Sequence, residues 1–155
     1  MPEWPPFAQV PNTWSGTGAW IVSGPIADMT DPSLEAVATL ESGPLLGGGF
    51  NLMRRFASAG DTNGDGIDDL LIGAWQADPN GDRSGAAYLV LGPVRGQIDL
   101  RAGAHLRMAG EDAEDRAGIA VAGAGDTNGD GLDDMVIGAH LAGTGGAAYL
   151  LFGSP

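Results

Sequence analysis

The chain has 155 residues, 43% of them hydrophobic, which is enough to bury a core and excludes a disordered chain. Seven basic residues against twenty acidic ones give a formal charge of −13, which leaves no basic track for nucleic acid and no attraction to anionic lipid; the natural counterparts are cations. There is no cysteine, so disulfides, thiolate metal sites and cysteine nucleophiles are excluded together.

The first segment, MPEWPPFAQVPNTW, lacks the basic start and apolar core of a signal peptide, and no apolar run approaches the ~20 residues that span a bilayer. For an exported protein the expectation is that the signal has been removed or belongs to a longer precursor. Glycine (27 residues) and proline (10) are spread at regular places, which predicts many short strands joined by tight turns. GAWIVSGP at Gly18 to Pro25 reads as a strand. DPSLEAVATLES at Asp31 to Ser42 fits a helix and a turn followed by a strand equally well. Together they form a partial unit over residues 15–49.

A strand is expected from Arg54 to Ala59, followed by the loop DTNGDGIDD at Asp61 to Asp69 and an apolar run from Ile67 to Ala74. GAAYLVLG at Gly85 to Gly92 supplies another strand, and a further one around Ile98 to Met108 completes a unit over residues 50–110. The pattern then recurs over residues 111–155, with a strand from Ile119 to Ala124, the loop DTNGDGLDD at Asp126 to Asp134, the run Leu132 to Ala139, and GAAYLLFG at Gly146 to Gly153. Asp61 and Asp126 are 65 positions apart, and chance does not produce such a repeat. About four strands per unit is the content of a propeller blade. The expected fold is therefore all-β, with β-propeller blades of four antiparallel strands and about two to two and a half blades in a single partial propeller region, 1–155.

The acidic excess collects around the two loops. Asp61, Asp65, Asp68, Asp69 and Asp78 form one cluster, and Asp126, Asp130, Asp133, Asp134 and Asp115 the other. Carboxylates so crowded repel one another unless water or a metal compensates them. In the first loop Asp61, Asn63 and Asp65 stand at positions 1, 3 and 5, Ile67 at position 7 can offer its backbone carbonyl, and Asp69 closes the set at position 9. A tightly curled loop turns alternate side chains inward, and a hard cation such as Ca²⁺ takes six to eight oxygens. Gly66 permits the sharp bend at position 6. Asp126, Asn128, Asp130, Leu132 and Asp134 repeat these roles, with Gly131 at the bend, so two Ca²⁺ per chain are expected. Magnesium would need a smaller, stricter octahedron, and zinc wants nitrogen or sulfur. An EF-hand or dockerin-type loop would need an acidic residue at position 12, where this chain has Ile72 and Ile137. The alternative is a solvated Asn/Asp/Gly turn without metal.

These units resemble the FG-GAP repeats of the integrin α-subunit propeller and its bacterial relatives. The likeness rests on Gly60 to Ala74 and Gly85 to Gly92, on their counterparts Gly125 to Ala139 and Gly146 to Gly153, and on the lead-in GEDAEDRAG at Gly110 to Gly118. The family's Phe-Gly is Ala117-Gly118 in one unit and is blurred to GGGFNLM at 47–53 in the other, while the proline ending its second motif is Trp75 or His140. The resemblance implies a seven-bladed propeller with calcium in loops on one face, used for adhesion or protein recognition.

A closed ring needs at least four blades, so the chain is expected either to associate with copies of itself or to belong to a longer propeller. His105 and His140 read as surface residues, and no triad, nucleophile elbow or phosphate-cradling loop is present; the expectation is a protein that is not an enzyme. Trp4, Trp14, Trp20 and Trp75 fit packing between blades better than a sugar-binding face. The sequence thus points to an extracellular or cell-surface, calcium-binding module with a protein or glycan ligand and no nucleic-acid or membrane-inserting role. A structural self-assembly unit and an accessory fragment of a larger secreted enzyme are the alternatives.

Overall fold

The computed structural model describes residues 18–22, 36–41 and 55–155. Three sheets are present among them. The middle sheet is antiparallel, with order β3-β4-β5-β7, where β3 is Arg55–Gly60, β4 Asp69–Ala74, β5 Ala86–Val90 and β7 Leu106–Ala109. A third sheet repeats its first three strands as β8 (Ala120–Gly125), β9 (Asp134–Ala139) and β10 (Ala147–Leu151), in order β8-β9-β10. The first sheet pairs β1 (Gly18–Val22) antiparallel with β2 (Ala36–Glu41), so the stretch that fitted both helix and strand is a strand.

In the middle sheet β4 and β5 are apolar runs rather than alternations, as fits strands covered on both faces, where the usual polar-out positions are gone. In one direction Ile72, Ala74, Ala86, Tyr88 and Val90 pack with Leu40 of β2 and with Leu100. In the other, Leu71, Leu89 and Ala59 meet Met135 of β9, with Val121 and Leu151 alongside. Period-2 geometry divides β4 and β5 between these two cores without any change in residue type. A smaller cluster of Ala117, Ala139 and Ala142, flanked by Met108 and Tyr149, joins the segment before β8 to the third sheet. Ala117 donates its N–H to the Ser84 carbonyl at 3.0 Å, and Gly118 to the Gly138 carbonyl at 3.0 Å, so the pair standing where the family has Phe-Gly stitches the middle sheet to the third.

One expected strand is in fact two. Around Ile98 to Met108 the chain forms β6 (Gly96–Asp99), a single helical turn α1 (Leu100–Gly103), and then β7. The interruption has a local cause: the Asp99 carboxylate accepts the Arg101 N–H at 2.9 Å as an N-cap, and Leu100 is buried as the anchor of the turn. β6 then leaves the middle sheet and pairs with β2 in parallel, which departs from a purely antiparallel blade. Trp4, Trp14, the segment 47–53 and most of the partial unit at 15–49 lie outside the described residues.

Candidate metal centre

Both Asp loops occupy the same place in their sheets. The first spans the turn from β3 to β4 and the second the turn from β8 to β9, so the loops lie at corresponding ends of adjacent sheets. Each is curled by its first aspartate. Asp61 Oδ1 accepts the N–H groups of Gly64 (2.7 Å) and Asp65 (3.0 Å), and Oδ2 accepts that of Gly66 (2.8 Å). Asp126 does the same for Gly129 (2.6 Å), Asp130 (3.1 Å) and Gly131 (2.8 Å). The bends at Gly66 and Gly131 have φ of +83° and +90°, the left-handed region that glycine enters without steric cost.

Position 3 is tied to position 5. Asn63 Oδ1 accepts the Asp65 N–H at 3.0 Å, and its Nδ2 donates to Asp65 Oδ2 at 3.1 Å; Asn128 and Asp130 repeat the two bonds at 2.9 and 2.9 Å. Asp65 Oδ1 also accepts the Ile67 N–H (2.8 Å), and Asp130 Oδ1 that of Leu132 (2.9 Å). The structure therefore brings the side chains of positions 1, 3 and 5 together around one turn in each loop, with the backbone N–H of position 7 tied to position 5.

Position 9 behaves differently. Asp69 is buried, with Oδ1 accepting the Gly92 N–H at 2.8 Å and Oδ2 accepting the Thr62 N–H at 3.1 Å and the Thr62 hydroxyl. Asp134 accepts from Gly153 (3.0 Å), the Thr127 N–H (2.8 Å) and the Thr127 hydroxyl in the same way. The Thr127 hydroxyl holds the Asp134 carboxyl below its ordinary value; burial opposes this, and the Gly153 and Thr127 amides reinforce it. Sequence reasoning missed this brace, in which Thr62 and Thr127 at position 2 and Gly92 and Gly153 after the third strand hold the closing aspartate. The available signal was the repeat itself, since DTN and the glycine after the third strand both occur twice.

A carboxylate offers about four acceptor positions, so Asp61 and Asp69 each retain about one after their three N–H or O–H partners, and Asp65 about two. Among the described residues no three His, Asp or Glu side chains form a ready-made cage. A cation here would draw on the Asn63 or Asn128 amide and the Ile67 or Leu132 carbonyl beside the carboxylates, an all-oxygen set suited to calcium. Asp78 and Asp115, grouped with the loops by sequence, lie elsewhere. Asp78 follows the far end of β4 and accepts the Arg83 N–H at 2.7 Å, while Asp115 is buried and accepts the Asp112 N–H at 2.9 Å. Their charges belong to turns at the opposite end of the strands, where Arg83 and Arg116 both pair with Glu114 (2.9 and 3.2 Å). Arg116 also stacks 5.4 Å over the Trp75 ring, a packing role for that tryptophan. His105 and His140 are exposed just outside β7 and β9.

Residues 54–90 and 117–151 match the family model described as FG-GAP repeat. The chain is 36% identical over 102 residues to integrin alpha-PS2 of Drosophila melanogaster and 36% identical over 106 residues to integrin alpha-5 of Xenopus laevis. These matches take in 61% and 63% of this chain but 7% and 10% of the relatives, so the chain spans a tenth or less of the curated relatives it resembles.

Proposed function

We propose that this chain, an FG-GAP repeat protein, is a non-enzymatic, calcium-stabilised propeller module for adhesion or protein recognition. The observation that carries the reading is the pair of loops at corresponding ends of two sheets, each curling positions 1, 3 and 5 by the same hydrogen bonds. Each loop places three of its four carboxylates at ligand positions, a charge of −3 at the site in the absence of a cation, and Ca²⁺ compensates most of it. Asp61, Asn63, Asp65, Asp69 and the Ile67 carbonyl hold one ion, and Asp126, Asn128, Asp130, Asp134 and the Leu132 carbonyl the other. Short loops of this kind work at Kd of about 10⁻⁴ to 10⁻³ M, which calcium outside cells fills and cytosolic calcium does not. An affinity in that range supports a role at the cell surface or beyond it. No helix among the described residues is long and apolar enough to cross a membrane.

Ring closure is the second half of the proposal. β7 covers β5 in the middle sheet, but among the described residues nothing pairs with the outer side of β10. Beside that edge Leu150 and Phe152 are 48% and 57% exposed, and a groove of about 480 Å³ opens between the sheets, lined by Leu89, Leu106, Met135, Leu151 and Phe152. An unpaired edge next to exposed apolar side chains invites another strand. A second copy of this chain supplies it, or the remainder of a longer propeller does.

Measuring mass in solution with and without calcium tests both parts. A discrete oligomer that loosens on chelation is expected. Cysteines placed in Trp20 to Ser23 or Ala36 to Leu40 and in Tyr149 to Phe152 should crosslink between chains and not within them. A well-folded monomer at micromolar concentration would rule out closure by self-association.

A further inference from the structure

The two loops share their residues but not their surroundings. Asp133, at position 8 of the second loop, is directed away from its own loop towards the first. Its Oδ2 accepts the Asp61 N–H at 2.9 Å, and its own N–H donates to the Asp61 carbonyl at 3.0 Å. Gly60 admits it: with φ of +76°, a Cβ at Gly60 would lie 2.0 Å from Asp133 Oδ2. Just beyond, Ser154 donates its N–H to the Thr62 carbonyl at 2.8 Å. The corresponding residue of the first loop, Asp68, instead accepts the hydroxyl of Ser58 on its own hairpin at 3.1 Å. Around the second loop, among the described residues, no such clamp exists. Asp126, Thr127 and Asn128 are exposed, whereas Asp61 and Asn63 are half-buried and Thr62 is buried, and a Cβ at Gly125 would meet nothing within 4 Å.

We propose that Asp133 is a positioning residue for the first metal site, ordering from the neighbouring sheet a loop to which it does not belong in sequence, so that the first site is the tighter of the two. The inference rests on the calcium reading above. Binding an ion fixes the loop backbone, and each residue so fixed costs about 1–2 kcal/mol of conformational free energy. A loop already held at Asp61 and Thr62 has less of that cost left when the ion arrives, which is preorganisation. The Asp133 carboxylate also adds a negative charge beside the backbone of the first ligand, Asp61, without using up a coordination position. In the reverse direction, calcium in the first loop should tighten the docking of the third sheet, since the two equilibria are linked.

The test separates the sites. Calcium is titrated calorimetrically into the chain carrying Asp130→Ala, which leaves the first site, and into the chain carrying Asp65→Ala, which leaves the second, each with and without Asp133→Ala. The expected result is an affinity loss of about tenfold at the first site, the scale of one hydrogen bond to a charged acceptor. The second site should stay within about twofold, although Asp133 adjoins its ligand Asp134. Asp133→Asn keeps an acceptor for the Asp61 N–H and should recover most of the loss. A measurement that needs no variant accompanies these: in the unmodified, metal-free protein the Asp61 amide should exchange with solvent more slowly than the Asp126 amide. Weakening of the second site alone, equal weakening of both, indifference of both, or equal exchange at the two amides overturns the inference while the calcium reading stands. No calcium uptake by any of the proteins, wild type included, overturns the calcium reading and the inequality of the sites with it.

Discussion

The strands Ala86–Val90 and Ala147–Leu151 are nearly the same sequence, AAYLV and AAYLL, in two different situations. The first is buried at every position; the second alternates between half-buried and exposed. Nothing in the residues distinguishes them. The difference lies in what stands beside each strand: β5 has β7 at its edge and a sheet on either face, whereas among the described residues β10 has no strand at its outer edge and meets the middle sheet on one side. A repeat therefore encodes a blade, and the energy each copy contributes depends on its neighbours.

Truncating the equivalent tyrosines gives the largest test of this contrast. Tyr88 is fully buried, and Tyr88→Ala should destabilise by about 3–5 kcal/mol in denaturant unfolding, the range for losing a large buried ring. Tyr149→Ala should cost well under half of that in a monomer. If copies of the chain close a ring over β10, the Tyr149 variant should move towards the Tyr88 value as protein concentration rises, and equal costs at every concentration would remove the contrast.

Gly60 and Gly125 sharpen it at the loops. Both have positive φ, +76° and +69°, so an alanine at either strains the backbone by about 1–2 kcal/mol. Only Gly60→Ala also collides with Asp133, which should add about 1–3 kcal/mol for overpacking. Similar losses in the two variants would mean that the contact between the sheets is loose in solution.

Chelation has a smaller expected effect. At about 1 mM calcium and a Kd of about 10⁻⁴ M, linkage gives about 1.4 kcal/mol per site, so chelator should lower the melting temperature at neutral pH. Loss of the first site through Asp65→Ala should remove more of the calcium response than loss of the second through Asp130→Ala. The response should weaken in acid, where protons compete for the ligating carboxylates. A melting curve indifferent to chelator would mean that the loops are stable without an ion.

Alkaline pH probes the buried ring itself. Burial raises the Tyr88 phenol above its ordinary value of 10.0, because its ionised form is poorly solvated there. The proton is held more tightly in the folded state, so the Tyr88 contribution is complete below the ordinary value and is lost as pH rises through the raised one. Tyr88→Phe should flatten the alkaline limb of the stability curve. An unchanged limb would assign that loss to other groups.

Much of this was legible in the residues because the signals are local. The curl of each loop is built by Asp61 or Asp126 from amides three to five residues on, and the DTNGDG spacing announces it. The strands are visible as short apolar runs ended by glycine, and for β4 and β5, covered on both faces, no polar alternation is needed. What escaped depends on residues far apart in sequence. Asp69 as a brace needs Gly92, and Asp133 as a clamp needs Asp61 from the previous repeat. The parallel pairing of β6 with β2 joins segments separated by the whole of β3 to β5. Asp78 and Asp115 are near the loops along the chain but not in space, because the strands carry them to the other end.

Calorimetric titration of the unmodified protein with calcium decides whether both loops of this chain are calcium sites. Two ions per chain are expected, the first bound more tightly than the second, with one lost in Asp65→Ala and the other in Asp130→Ala. A titration with no uptake, or a variant of either aspartate that still binds two ions, would contradict it.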